Sequence, residues 1–299
     1  MTNSVSTVRI VIFMLALLSG GMSRPALAEK RGFMLAVDTP TQVKADLERL
    51  ASLKVKIVRF PIYLHNQKSL DVPLKSLTAI LPTCNTRGIT IVVDLHFPTR
   101  GVWGSQITNP DQFVNDWRTI ATTMSGYSGE VWYDLANEQA DTATWKWRAL
   151  AQRAAVEIRK IEQRHAIIYS PTGSTTLPAA TISKLDGITN QILEFHFWNW
   201  TNVQFDGVAY PSPGRTKADL ERLLSEVAAA GRRNGCPVYI GEVGIRRDHP
   251  NAARFLRDFT DICGSLNIHC SVHAYRESSK WNYEGTSAWS SLTNWLARP

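Results

Sequence analysis

The sequence predicts an α/β protein built as a single (β/α)₈ barrel. Short β-branched runs alternate with amphipathic helical stretches from one end to the other. Eight such runs can be counted, most of them followed by a helical candidate, which favours a closed parallel barrel over an open doubly wound sheet. Setting aside an N-terminal leader of 28 residues leaves 271 of the 299, close to the ~250 typical of one barrel. No composition break or linker divides them.

Residues 1–28 have the layout of a secretory signal peptide. Arg9 supplies a positive n-region, residues 10–18 an apolar h-region, and Ala26-Leu27-Ala28 a small-x-small cleavage site before Glu29. The expected product is a catalytic domain over 29–299, exported to the periplasm or the medium. Within it the strands are read at 32–38, 56–64, 89–97, 131–138, 166–171, 191–198, 237–244 and 268–275, where β-branched and aromatic residues concentrate. The clearest helices are 42–53, 111–124, 144–163, 217–233 and 251–264, with a last one at 287–296. In 217–233 the apolar residues Leu220, Leu223, Leu224, Val227 and Ala228 recur at the spacing of one buried helical face. Pro178 and Gly187 interrupt 175–190 and leave that stretch without a clear assignment.

Composition narrows the function classes. A chain with 44% hydrophobic and 20% charged residues is globular, not disordered. After the leader no apolar run approaches the ~20 residues of a membrane span, so membrane insertion is not expected. Removal of Arg9 and Arg24 lowers the formal net charge of +7 by two, and the remaining charges are scattered. Arg232-Arg233 and Arg246-Arg247 are pairs, not a tract, so a solvated surface is favoured over a nucleic-acid partner. Neither GxGxxG nor GxxxxGK[ST] occurs, and no cofactor is expected. A monomer is expected. The four cysteines, Cys84, Cys236, Cys263 and Cys270, lack CxxC spacing. Export permits disulfides, with Cys263 and Cys270 the favoured pair across a helix-to-strand turn, while Cys84 and Cys236 could be free thiols.

In a barrel of this kind, chemistry gathers where the strands end. The strands here close repeatedly on polar groups: Arg59-Phe60-Pro61, Asp94-Leu95-His96, Asp134-Leu135-Ala136-Asn137-Glu138, Glu194-Phe195-His196, Gly241-Glu242-Val243-Gly244 and His273-Ala274-Tyr275. Glu138 and Glu242 end the fourth and seventh strands, which face each other across the mouth. Paired carboxylates are what glycoside hydrolysis needs: one protonated to serve the leaving oxygen, one ionised to attack the anomeric carbon or activate water. A structural ion pair with Arg59 is the competing explanation for either one alone. Metal hydrolysis through His96, His196 and His273 is disfavoured, because no accompanying acidic ligand set is evident. His65, His165, His249 and His269 are read as surface or structural.

Together these residues resemble glycoside hydrolase family 5, a polyspecific group of retaining barrel glycosidases that includes many cellulases. The resemblance rests on Arg59, Asp94-Leu95-His96, Leu135-Ala136-Asn137-Glu138, His196 and Ile240-Gly241-Glu242-Val243-Gly244, one motif per expected strand and in order. It implies that Glu138 is the acid/base and Glu242 the nucleophile of a double displacement, with Arg59 keeping Glu242 ionised. It implies further that Asn137 binds the sugar 2-hydroxyl, and that His96 and His196 line the subsite. Adjacent strand residues point to opposite faces, so bringing both Asn137 and Glu138 into the mouth requires a distorted strand end. Two departures stand out: Gln139 follows Glu138 where the family has Pro, and Trp198 stands where the family has a Tyr beside the nucleophile.

The family's platform Trp on strand eight has no direct counterpart. Tyr275 is nearest in sequence and Trp281 lies in the following loop; both are candidate stacking residues, with Trp281 favoured. Of the ten tryptophans, Trp103, Trp198 and Trp200 are placed on rim loops, where indoles make platforms for sugar rings. Trp117, Trp145, Trp147, Trp289 and Trp295 are assigned to helices and the core. The expected substrate is a β-linked oligo- or polysaccharide, foremost a β-1,4-glucan cut internally. Mannan, xylan and β-1,3-glucan are the alternatives. A carbohydrate-binding envelope protein that has lost catalysis is the rival from another class.

Overall fold

The computed structural model describes residues 28–36, 39–64, 69–99, 102–139, 144–171 and 182–299, without the side chains of 98–105 and 144. The proposed leader lies outside them, apart from Ala28. In chain order the strands are β1 (Arg31–Leu35), β2 (Ile57–Tyr63), β3 (Thr90–His96), β4 (Pro98–Thr99), β5 (Val102–Ser105), β6 (Val131–Asp134), β7 (Ala166–Tyr169), β8 (Gln191–Phe197), β9 (Val238–Val243) and β10 (His269–Tyr275). The helices are α1 (Pro40–Ser52), α2 (Asp71–Arg87), α3 (Pro110–Met124), α4 (Thr144–Ile161), α5 (Thr201–Gln204), α6 (Lys217–Asn234), α7 (Ala252–Ser265) and α8 (Ser287–Ala297). Eight strands pair in parallel and close as β1-β10-β9-β8-β7-β6-β3-β2, while β4 and β5 form a small antiparallel hairpin after β3. This is the single-domain (β/α)₈ barrel that the alternation of elements predicts.

Helix starts follow local chemistry. Thr39 caps α1 by accepting from the Gln42 N–H, and Pro40 occupies the first turn, where its missing N–H costs nothing. Thr216 and Asp219 form a capping box on α6, and Gly235 ends that helix in the left-handed region at φ 61°. Besides the single turn of α5, the unpredicted helix is α2, whose sequence carries Pro73 and, inside the helix, Pro82. Prolines hide the helical pattern, yet five side chains of α2 still bury against the core. Among the described residues of 175–190 no helix occurs.

Alternation along the strands positions the site. Ile57, Val92, Trp132, Ala166, Ile168, Ile192 and Tyr239 make one buried cluster with contributions from β2, β3, β6, β7, β8 and β9. Residues from so many strands meet only inside the barrel. A strand side chain returns to the same face every second residue, so the next inward tier is Arg59, Asp94, Asp134 and Glu194, all fully buried. An apolar plug thus carries an ionisable tier on top of it, and the mouth opens above that. The main hydrophobic core lies between the strands' outer faces and the helices.

All four cysteines are free thiols. Cys263 and Cys270, the favoured pair, do lie side by side: burial first, then the neighbouring Cys270 thiol, pushes the Cys263 thiol well up. Cys84 is buried, and burial raises its thiol to about 12.

Candidate active site

Arg59 is the hub. From the middle of β2 its guanidinium reaches Glu242 on β9 (Nη1 to Oε1, 2.6 Å), Asp134 on β6 (Nη2 to Oδ2, 2.9 Å) and the Asn137 side-chain oxygen (Nη2 to Oδ1, 3.0 Å). Asp94 Oδ2 lies 3.0 Å from Nη2 and Glu194 Oε1 lies 3.7 Å from Nε, as charge contacts without directed hydrogen bonds. A buried cation of this kind requires compensating carboxylates. Burial, then the carboxylates of Glu194 and Asp94, push Asp134 well above the ordinary Asp range.

Glu242 is set apart electrostatically. Burial alone raises a carboxyl, but His196, Arg59, His273 and His96 outweigh it and hold Glu242 well below the usual carboxylate range. The indole N–H of Trp198 also donates to its Oε2 at 3.2 Å. Strand register places His196 directly opposite Glu242 across β8 and β9, where the ladder shifts by one residue. Glycines bracket Glu242 for lack of space. A Cβ at Gly244 would sit 3.1 Å from the Trp198 ring and 3.3 Å from that of Trp281. One at Gly241 would collide with the Glu194 carboxylate.

Glu138 lies beyond the regular part of β6, at φ 40°. A non-glycine residue in the left-handed region costs about 1–3 kcal/mol and tends to mark function. Here it provides the distorted strand end that the sequence requires, for both Asn137 and Glu138 now turn to the mouth. The Asn137 N–H donates to Leu95 O at 2.9 Å, which pins the turn to β3. Glu138 Oε1 lies 2.8 Å from His196 Nδ1. Oxygens of Glu138 and Glu242 approach within 4.8 Å of each other.

The residues predicted for the site therefore divide. Arg59, Asn137, Glu138, His196 and Glu242 come together, and His96 stands at their edge, in contact with Asp94 and with its ring 4.5 Å from that of Tyr63. Trp281 packs edge-on against Trp198 and His273 at ring distances of 5.8 and 5.2 Å, beside Glu242. Tyr275 does not reach the site. It is 1% exposed, its ring stacks on Trp289 at 5.9 Å, and its hydroxyl donates to Glu284. Trp200, expected on the rim, is buried against Phe197 and Tyr210, whereas Trp145, expected in the core, is 72% exposed in the first turn of α4. The Trp103 side chain and His65 lie outside the described residues. His165, His249 and His269 are buried structural residues.

Sequence reasoning placed His273 and Glu194 at strand ends but gave neither a role in the carboxylate site. His273 Nδ1 lies 3.8 Å from Glu242 Oε2, and its Nε2 lies 3.0 Å from Glu277. Burial lowers the His273 imidazole, but Glu277 and Glu242 outweigh it and raise it on balance. The available signal was its place among the polar residues that close β10. Among the described residues, one group of three has metal-ligand types close enough to share an ion: Glu138, His196 and Glu242. The Arg59 guanidinium already occupies Glu242, and His196 bonds Glu138, so the trio suits proton chemistry better than a cation.

The chain matches the family model Cellulase (glycosyl hydrolase family 5) over residues 28–260. None of the curated proteins searched matches it. Among solved structures it is similar to Thermotoga maritima Cel5A. The mutant form in complex with cellobiose has 17% identity and a TM-score of 0.74, with 90% of this chain and 96% of that one covered. The mannotriose complex of the same protein gives 18%, 0.70, 89% and 97%. The Pseudomonas stutzeri endoglucanase Cel5A is similar at 17% identity and a TM-score of 0.69, covering 90% of this chain and 94% of that one.

Proposed function

The chain belongs to glycosyl hydrolase family 5 and is a glycoside hydrolase, and from that premise we propose that it is a retaining endo-β-1,4-glucanase. The observation that carries this reading is the approach of the two carboxylates within 4.8 Å, with Arg59 locked onto only one of them. Carboxyl groups ~5–5.5 Å apart leave no room for a water between them and the sugar, whereas inverting enzymes separate them by about 6.5–9.5 Å. Glu242, ionised and held by Arg59 and Trp198, attacks the anomeric carbon. Glu138 donates its proton to the leaving oxygen and then, as a carboxylate, activates the water that releases the glycosyl group. Asn137, anchored through its oxygen on Arg59, presents its amide nitrogen to the sugar 2-hydroxyl. Trp281 offers the stacking face beside Glu242. The leader-like N-terminus supports export, and the proposed working form is a monomer.

The test pairs a polysaccharide panel with two variants. On β-1,4-glucan, mixed-linkage glucan, mannan, xylan and β-1,3-glucan, product sizing is expected to show internal cleavage of β-1,4-glucan. Mannan is on the panel because a similar structure holds mannotriose. Glu242→Gln is expected to lose about 10³-fold or more in kcat. Glu138→Ala should lose at least about 10²-fold on substrates with poor leaving groups. Normal hydrolysis by Glu242→Gln ends the assignment. Glycan binding without turnover on any substrate favours instead a binding protein.

A further inference from the structure

Glu194 is a fully buried carboxylate that the proposed chemistry does not use. It projects from β8 two residues before His196, on the same inward face. Neither of its oxygens has a directed hydrogen bond among the described residues, and neither does His196 Nε2. These two orphans face each other: Nε2 lies 3.5 Å from Glu194 Oε1. A buried polar group without a partner is costly, and a carboxylate facing an imidazole at this range settles that cost when the nitrogen carries a proton. The other face of the ring, Nδ1, is 2.8 Å from Glu138 Oε1. One imidazole thus stands between a buried carboxylate and the acid/base. Gly241 keeps the space open, since a side chain there would collide with Glu194 and approach His196 Nε2 to 3.0 Å.

We propose that Glu194 is a positioning residue for the proton donor: it holds the Nε2–H of His196, keeps the ring doubly protonated, and so commits Nδ1–H to Glu138 Oε1 with the second Glu138 oxygen turned to the leaving group. The inference rests on the glycosidase reading and deepens it. The surrounding charges agree. Burial lowers the His196 imidazole, but Glu242, Glu138 and Glu194 outweigh it and hold it well above the ordinary histidine range. Facing the pair from the other strands are Arg59, Asp134, Tyr239 and Glu242. Of the nearest, Asp134 is pushed well above the ordinary Asp range, and Arg59 is shared among Asp94, Asp134, Glu194 and Glu242. Glu194 is the group that meets Nε2. As Glu138 gives up its proton, the Nδ1–H bond strengthens onto the new carboxylate, and the same contact steadies it as base in the second step.

The test is the kcat/KM profile against pH for Glu194→Gln on two substrates. A cello-oligosaccharide needs a proton from Glu138; a dinitrophenyl β-cellobioside, whose leaving group departs as a stable anion, does not need one in the first step. The variant is expected to lose about tenfold or more on the oligosaccharide near neutral pH. Its alkaline limb should fall by about one pH unit, while the aryl substrate changes by less than about twofold. Glu194→Asp, which keeps the charge, should recover most of the loss. Equal losses on both substrates, or an alkaline limb that stays in place, overturn the proposal. Wild-type protein inactive on both substrates overturns the glycosidase reading and this inference with it. Should Glu194→Gln not fold, ¹⁵N spectra of the wild-type histidines decide: both His196 nitrogens protonated near neutral pH is expected, and an unprotonated Nε2 contradicts it.

Discussion

Trp198 stands where the resemblance to family 5 leads one to expect a tyrosine beside Glu242, and its indole supplies a donor there. Its N–H reaches Glu242 Oε2 at 3.2 Å, and its ring packs on His273, Phe205 and Trp281. Unlike a phenol, an indole N–H only donates, so Trp198 supports ionised Glu242 without exchanging protons with it. Trp198→Phe keeps an aromatic ring but removes the donor. A hydrogen bond to a charged group contributes about 1.5–3 kcal/mol, so kcat/KM on aryl cellobiosides should fall by about 10- to 100-fold. Unchanged kinetics would assign Trp198 to packing alone. Tyr275 shows the opposite case. It is the aromatic residue nearest in sequence to the expected platform, yet its side chain lies against Trp289. The ladder of β10 shifts register against both neighbours, between its own Cys270 and Val272 where it pairs with β9 and between Phe33 and Leu35 of β1 where it pairs with β1. Counting residues along that strand therefore cannot assign a face.

At the scale of elements, the strands were legible because barrel strands are apolar on both faces and end on polar residues. Predicted and observed bounds agree closely for β2, β3, β8 and β10, and diverge where the strand is cut short. Residues 131–138 read as one strand, but β6 ends at Asp134 and the chain turns so that Glu138 takes a positive φ. That turn is what brings Glu138, the proposed acid/base, to the mouth, and a parity argument predicted the need for it without its form. Helices with a clean apolar stripe, such as α6 and α7, were found to within a residue or two. α2 was not, because Pro73 and Pro82 mask its periodicity. The inward tier of Arg59, Asp94, Asp134 and Glu194 was within reach of the same alternation that located the strands. What the sequence could not show is how far one arginine extends: β2, β6, β8 and β9 meet at Arg59 only once the sheet closes.

Over the whole molecule the two ends of the barrel are tuned oppositely. The mouth gathers cations, Arg59 with raised His196 and His273, around an ionised Glu242. The base keeps its histidines neutral. His269, at the start of β10, is 1% exposed; its Nδ1 accepts from the Lys30 N–H at 3.0 Å, and its ring lies 5.2 Å from that of Trp132. Burial, then the Lys30 charge, lowers its imidazole to about 4. A folded-state value below the ~6.5 of an unfolded histidine contributes stability that is present above ~6.5 and lost as pH falls towards the folded value. His165, lowered by burial, adds with the same sign. Urea unfolding should therefore show stability falling between about pH 6.5 and 4.5, with His269 contributing up to about 3 kcal/mol. In His269→Asn, which retains an acceptor for the Lys30 N–H, the slope over that window should flatten. An equally steep slope in the variant would place the acid sensitivity elsewhere.

Double displacement at Glu242 with Glu138 as its proton partner is most directly tested by trapping the intermediate. Incubation with an activated 2-deoxy-2-fluoro-β-cellobioside slows both steps, and a good leaving group lets the first outrun the second. Intact-mass analysis should show one added 2-deoxy-2-fluorocellobiosyl unit, and peptide mapping should place it on Glu242. Attachment to another side chain, or no adduct together with products of inverted configuration, would contradict the account.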